Sequence, residues 1–111
     1  LTLTRKIVEI LENHKAEDIV LMDVSNQVDF TDYFIICTGT SDRMLDSLSK
    51  AVSDEIRDQY KVHSKIQGKS SGGWLLIDIG DIVVQIFSPD RRDYYSLEEL
   101  WNEAKVLLKL Q

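Results

Sequence analysis

Three groups of residues are of types from which catalysis is built, and each falls short of a site. The first is the acidic set. Two carboxylates at i, i+2 on a strand lie on one side and can hold Mg²⁺ between them. No Asp or Glu of this chain is followed by another at i+2. Asp78 and Asp81 stand at i, i+3 across a turn, and Asp54-Glu55 are neighbours on an amphipathic stretch, read as solvated surface. The second group is Gly39-Thr40-Ser41, which enters a helix N-terminus where backbone N–H groups attract anions. Without the carboxylate pair it reads as a strand-to-helix turn and cap. Gly68-Lys69-Ser70 ends like a phosphate-binding loop but lacks the upstream glycine at the required spacing, and there is no Gly-x-Ser-x-Gly elbow. The third group is thiol and imidazole. Cys37 is the only cysteine, sits in the apolar run Tyr33–Cys37, and reads as a buried structural thiol in a reducing compartment. His14 and His63 are far apart with no Cys or paired His nearby, so no structural zinc is expected. The chain therefore reads as a non-enzyme: no catalytic residue, no metal and no cofactor is assigned.

What remains is a binding surface. Trp74 to Phe87 reads as two strands joined at Gly80-Asp81, because Gly at the first central position suits a two-residue hairpin loop. That turn sets the register. Leu75, Ile77 and Ile79 then face Ile86, Val84 and Ile82 on one wholly aliphatic face, the predicted core. The other face pairs Trp74 with Phe87, Leu76 with Gln85 and Asp78 with Val83. It is half apolar and half polar, to be covered by a second layer or left open for a partner. Trp74 follows the polar stretch Lys69–Gly73, read as a flexible loop, and large aromatics at such places serve as interface anchors. Trp74, Leu76 and Phe87 are the expected apolar contacts. Asp78 and Gln85, joined by Asp81, are the expected rim, with Arg92 and Tyr94 just past the strand end. The competing readings are ordinary packing of Trp74 under a helix and surface pairing of Arg92 with Asp93 or Glu98.

The elements that must position this face follow from periodicity. Leu3, Ile7, Val8 and Leu11 predict a helix to about His14. Strands are expected at Ile19–Val24 and Asp32–Thr38, with a polar connection over Ser25–Thr31. Ser41 is the expected N-cap of a long helix whose buried stripe is Leu45, Leu48, Val52, Ile56 and Tyr60. A short strand around Val62–Ile66 precedes the hairpin. Pro89 stops the hairpin's second strand, Asp90–Asp93 is a charged turn, and Ser96-Leu97-Glu98-Glu99 is a capping box with Tyr95 and Leu100 as its staple. That box opens a last helix burying Leu97, Leu100, Trp101, Ala104, Leu107 and Leu108. The order α-β-β-α-β-β-β-α predicts an α+β fold (an α/β-type sandwich): a mixed sheet of about five strands with helices packed on it, in one domain over 1–111.

Composition bounds the partners. The chain has 111 residues, 43% hydrophobic and 29% charged, as globular proteins do. Its net charge of −6 argues against gripping a nucleic-acid backbone, so no direct DNA binding is expected, and permits a basic protein as partner. No apolar run approaches the ~20 residues of a membrane helix. The N-terminus has neither a signal-peptide pattern nor an initiating Met, which leaves an upstream segment open. A cytoplasmic location is expected.

Four stretches together carry a family resemblance: Asp18–Val24; Thr31–Ser41; Gly73–Phe87 with Gly80-Asp81 at its centre; and Arg92–Trp101. In this order and spacing they resemble the signatures of the ribosomal silencing factor (RsfS, or Iojap) family, over nearly the whole chain. The resemblance implies a non-enzyme that binds a large-ribosomal-subunit protein where the small subunit docks, keeps the subunits apart and represses translation when nutrients are short. It further implies a nucleotidyltransferase-like fold and a homodimer when free. The alternatives are a nucleotidyltransferase-like enzyme and a plain homodimerisation module. Two positions depart from the family pattern: Gln85 stands where many members have His, and Ser88–Arg91 replaces a more acidic stretch.

Overall fold

A computed structural model describes residues 2–94 and 105–110, apart from the side chains of residues 93 and 94. The elements are α1 (Thr2–Asn13), β1 (Glu17–Asp23), β2 (Tyr33–Thr38), α2 (Asp42–Tyr60), β3 (Lys65–Lys69), a 3₁₀ turn (Ser70–Gly72), β4 (Trp74–Asp78), β5 (Ile82–Phe87), α3 (Pro89–Tyr94) and β6 (Lys105–Leu110). The strands form one mixed sheet in the order β3-β4-β5-β2-β1-β6. Among the described residues only the β2–β5 pair is parallel. The connection from β2 to β5 therefore crosses over, and α2 lies within that crossover.

Both long helices cover one face of this sheet. Ile7, Val8, Ile10 and Leu11 of α1 and Leu45, Leu48, Val52 and Ile56 of α2 pack on Ile19, Leu21, Ile35, Cys37, Leu75, Ile77, Val84 and Ile86. Full burial of each such side chain stabilises by roughly 1.5–3 kcal/mol relative to exposure. Ser41 caps α2 as its residue type predicts. Its backbone is extended, and its Oγ accepts the Met44 N–H at 3.1 Å. The helix ends at Lys61 in the left-handed conformation, so Tyr60 falls past the buried stripe and is 40% exposed.

Four expectations are corrected. Among the described residues the sheet has six strands, because Leu107 and Leu108, expected at the end of a last helix, lie in β6, which pairs with β1. Asp90–Asp93 is not a turn but part of α3. Ser88 Oγ accepts the Arg91 N–H at 3.3 Å, Pro89 supplies a preset φ at the first helical position, and Asp90 suits the first turn. The third strand runs Lys65–Lys69, three residues later than expected. Lys69–Gly73 is not a free loop: Ser70 Oγ donates to Asp46 Oδ2 of α2 at 2.9 Å, and Gly73 N–H donates to Ser70 O. The capping box at Ser96–Glu99, its staple and Trp101 lie outside the described residues.

Candidate functional site

The β4–β5 hairpin adopts the register that its turn residues dictate. Trp74 pairs with Phe87, Leu75 with Ile86, Leu76 with Gln85, Ile77 with Val84 and Asp78 with Val83. Gly80 has φ +88°, and Ile79 N–H donates to Ile82 O across the loop. Alternate residues then part. Leu75, Ile77, Val84 and Ile86 join the helix-covered core. Trp74, Leu76, Val83 and Phe87 join a second cluster on the opposite face, with Val20, Met22, Val24, Phe34 and Ile36 of the neighbouring strands and loop.

Exposure divides that opposite face. Trp74, Leu76 and Gln85 are half-buried and Asp78 is exposed. Phe87 is only 2% exposed, because it lies inside the second cluster, so its expected role as an apolar surface contact is corrected to support beneath Trp74. Asp78 Oδ1 accepts the Gly80 N–H at 2.9 Å, so this carboxylate also steadies the turn.

Backbone and side-chain ties fix the end of the hairpin that carries Trp74. Ser88 N–H donates to Gly73 O at 2.8 Å, and Arg91 Nε donates to Gly72 O at 3.0 Å. Gly73 has φ +76°, and a Cβ there would sit 2.6 Å from Ser88 Oγ and 2.7 Å from Arg91 Cγ. On the β3 side, a Cβ at Gly68 would sit 2.9 Å from Trp74 Cε3. The indole therefore lies against the Gly68 backbone, and glycine makes its seat. An aromatic held this way presents its free side with little rotamer entropy left to lose on binding.

Arg92 is drawn inward. Its Nη1 donates to Asp18 O at 2.6 Å and to Thr38 Oγ1 at 2.8 Å, tying α3 to the ends of β1 and β2. The alternative of surface pairing with Asp93 or Glu98 falls on side chains outside the described residues. The side chain of Tyr94 also lies outside them. One residue that the sequence reading passed over adds to the face. Phe30, within the supposedly polar connection, is 67% exposed, and its ring centroid is 6.1 Å from that of Phe34 in the second cluster. A phenylalanine among Ser, Asn, Gln and Asp was its signal.

Cys37 is fully buried, and burial pushes its thiol up to about 12, far from a nucleophile's range. Among the described residues no three His, Cys, Asp or Glu side chains gather where they could hold a metal, and no helix is long and apolar enough to cross a membrane. The arrangement offers a seated tryptophan, an aliphatic neighbour and a polar border: parts for binding.

The profile of a family described as "Ribosomal silencing factor during starvation" matches residues 1–111. The chain is 36% identical over 93 residues to the Bacillus subtilis ribosomal silencing factor RsfS, covering 84% of this chain and 79% of that protein. It is 33% identical over 98 residues to the mouse protein named "Mitochondrial assembly of ribosomal large subunit protein 1", covering 86% of this chain and 43% of that one. Its fold matches the crystal structure of a Chromobacterium violaceum protein with a TM-score of 0.84 at 33% identity, over 91% of this chain and 84% of the other.

Proposed function

This chain belongs to the ribosomal silencing factor family, and from that premise we propose that it binds the large ribosomal subunit through a ribosomal protein at the subunit interface and so blocks joining of the small subunit. Inhibition is steric and breaks no covalent bond. The domain occupies the interface, and the two binding events exclude each other. The observation that carries this reading is Trp74, half-buried and seated against Gly68 at the tied end of the hairpin. Leu76 extends its apolar contact, Gln85 and Asp78 border it, Phe87 lies beside it across the hairpin, and Phe30 adds exposed apolar area farther along the same face. Tyr94 is kept in the proposed contact set by its position next to this corner in sequence. The net charge of −6 suits a basic ribosomal protein as the docking partner.

When free, two copies pair through the same apolar face, which would hide Trp74 until the ribosome competes for it. The protein acts in the cytoplasm, where its ribosomes are. The test is subunit joining on a sucrose gradient. Large subunits incubated with the protein should fail to form 70S particles when small subunits are added. Normal joining with the protein bound would remove the steric mechanism.

A further inference from the structure

Strand β3 forms the sheet edge next to the Trp74 corner. Its register sets Lys69 opposite Trp74, Gln67 opposite Leu76 and Lys65 opposite Asp78, so this row continues the outer face of the hairpin. All five residues of β3 are exposed. Among the described residues neither Lys65 nor Lys69 is in an ion pair. The nearby acids have other partners: Asp78 Oδ1 accepts the Gly80 N–H, and Asp46 Oδ2 accepts from Ser70 Oγ. The sequence also sets this edge apart. Of 111 residues 19 are acidic, yet residues 59–77 hold no Asp or Glu and carry Lys61, His63, Lys65 and Lys69. A chain of net charge −6 thus keeps one acid-free, lysine-bearing edge, and that edge borders its half-buried tryptophan.

We propose that the β3 edge is the part of the docking surface that meets ribosomal RNA, with Lys65 and Lys69 each taking a backbone phosphate. The inference rests on the ribosomal reading above and deepens it by naming a second component of the partner. The basic ribosomal protein that suits the chain's overall charge would be repelled by this edge. The anionic component of a ribosomal subunit is its RNA, and an ammonium pairs with phosphate as a point charge. At ~3.3 Å per residue the two lysines stand about 13 Å apart along the strand, far enough to take separate phosphates. Cations beside an aromatic side chain are the two features that RNA-binding surfaces combine. Lys69 should contribute more than Lys65, because the Asp78 charge opposite Lys65 offsets part of its attraction.

The experiment is pelleting of the full chain with purified large subunits in KCl from about 50 to 200 mM. Each phosphate contact releases counterions, so wild-type affinity should fall as salt rises. The Lys65→Gln, Lys69→Gln double variant, altered only at exposed positions, should melt like wild type. Its slope of log Kd against log salt should be smaller by roughly 1–2, and its binding at the lowest salt weaker by about fivefold or more. Lys69→Gln should account for the larger share, and Lys69→Arg should keep the wild-type slope. Trp74→Ala should leave the slope unchanged. Ultraviolet cross-linking of the bound complex should leave a nucleotide on a peptide from residues 65–74. An unchanged slope in the folded double variant would overturn the RNA contact and leave the lysines as guards of an edge strand, with the ribosomal reading intact. Carbodiimide coupling of Lys69 to a ribosomal-protein carboxylate would overturn it in the same way. Failure to pellet at every salt concentration would overturn both.

Discussion

The two faces of the β4–β5 hairpin are made from alternate residues of the same two strands, yet they differ in what they leave exposed. On the helix-covered face Leu75, Ile77, Val84 and Ile86 are all exposed by 3% or less. On the other face Phe87 and Val83 are buried while Trp74, Leu76 and Gln85 stay half-exposed. The first face is uniform because two amphipathic helices lie on it. The second grades from a buried centre to an open corner, and the glycines Gly68 and Gly73 shape that corner. Uniform burial serves stability, and a graded face leaves a fixed aromatic available to a partner.

The contrast can be broken most severely at the buried aromatic of the graded face. Phe87→Ala should lower stability by about 3–5 kcal/mol, read by urea denaturation, and should also weaken ribosome binding by the folded fraction, because it removes the packing beside Trp74. Ile77→Ala, on the uniform face, should cost about 2–5 kcal/mol and leave the affinity of the folded fraction unchanged. If Phe87→Ala instead stayed fully stable and lost binding, the graded face would be open where it is described as closed.

A smaller effect tests the frame beneath both faces. Ser41→Ala removes the oxygen that accepts the Met44 N–H and should cost roughly 1 kcal/mol of stability with unchanged binding. Of similar size is the effect of pH through Cys37. Its thiol is raised from 9.0 to about 12 in the fold, so above pH 9 the unfolded chain releases a proton that the folded chain keeps. Stability from this group is present below 9.0 and drains away as pH rises towards about 12. The stability gap between wild type and Cys37→Ala should therefore narrow from pH 8 to pH 10 in denaturant melts. A constant gap would mean that the thiol is not held neutral by burial. At the edge of the corner, Gln85→Ala should weaken ribosome binding by less than about 1 kcal/mol, as bordering polar contacts do, when read by pelleting.

Local chemistry explains how much of this was legible. The hairpin register was readable because a two-residue loop needs a positive φ that Gly80 takes without steric cost, and that turn pins every later pair. The α2 start was readable because Ser41 has one good use there. The α3 start was equally local, since Ser88-Pro89-Asp90 is an N-cap, a first-turn proline and a first-turn acid. It was missed because Pro89 also ends a strand, and the two meanings share one residue. β6 could not be read locally. Leu107 and Leu108 continue a helical spacing from Leu97, Leu100 and Ala104, and only pairing with β1, far away in sequence, makes 105–110 a strand. In the site, the position of Trp74 at a strand end was legible, whereas the burial of Phe87 and the inward bonds of Arg92 depend on neighbouring strands. Phe30 escaped because polar neighbours masked it.

The claim that the Trp74 corner is the ribosome-docking surface is tested most directly by pelleting Trp74→Ala with purified large subunits beside the wild type. The variant should keep a cooperative melt and bind more weakly by about 2 kcal/mol or more, some thirtyfold in Kd. A folded Trp74→Ala protein that pellets as well as wild type would contradict the account.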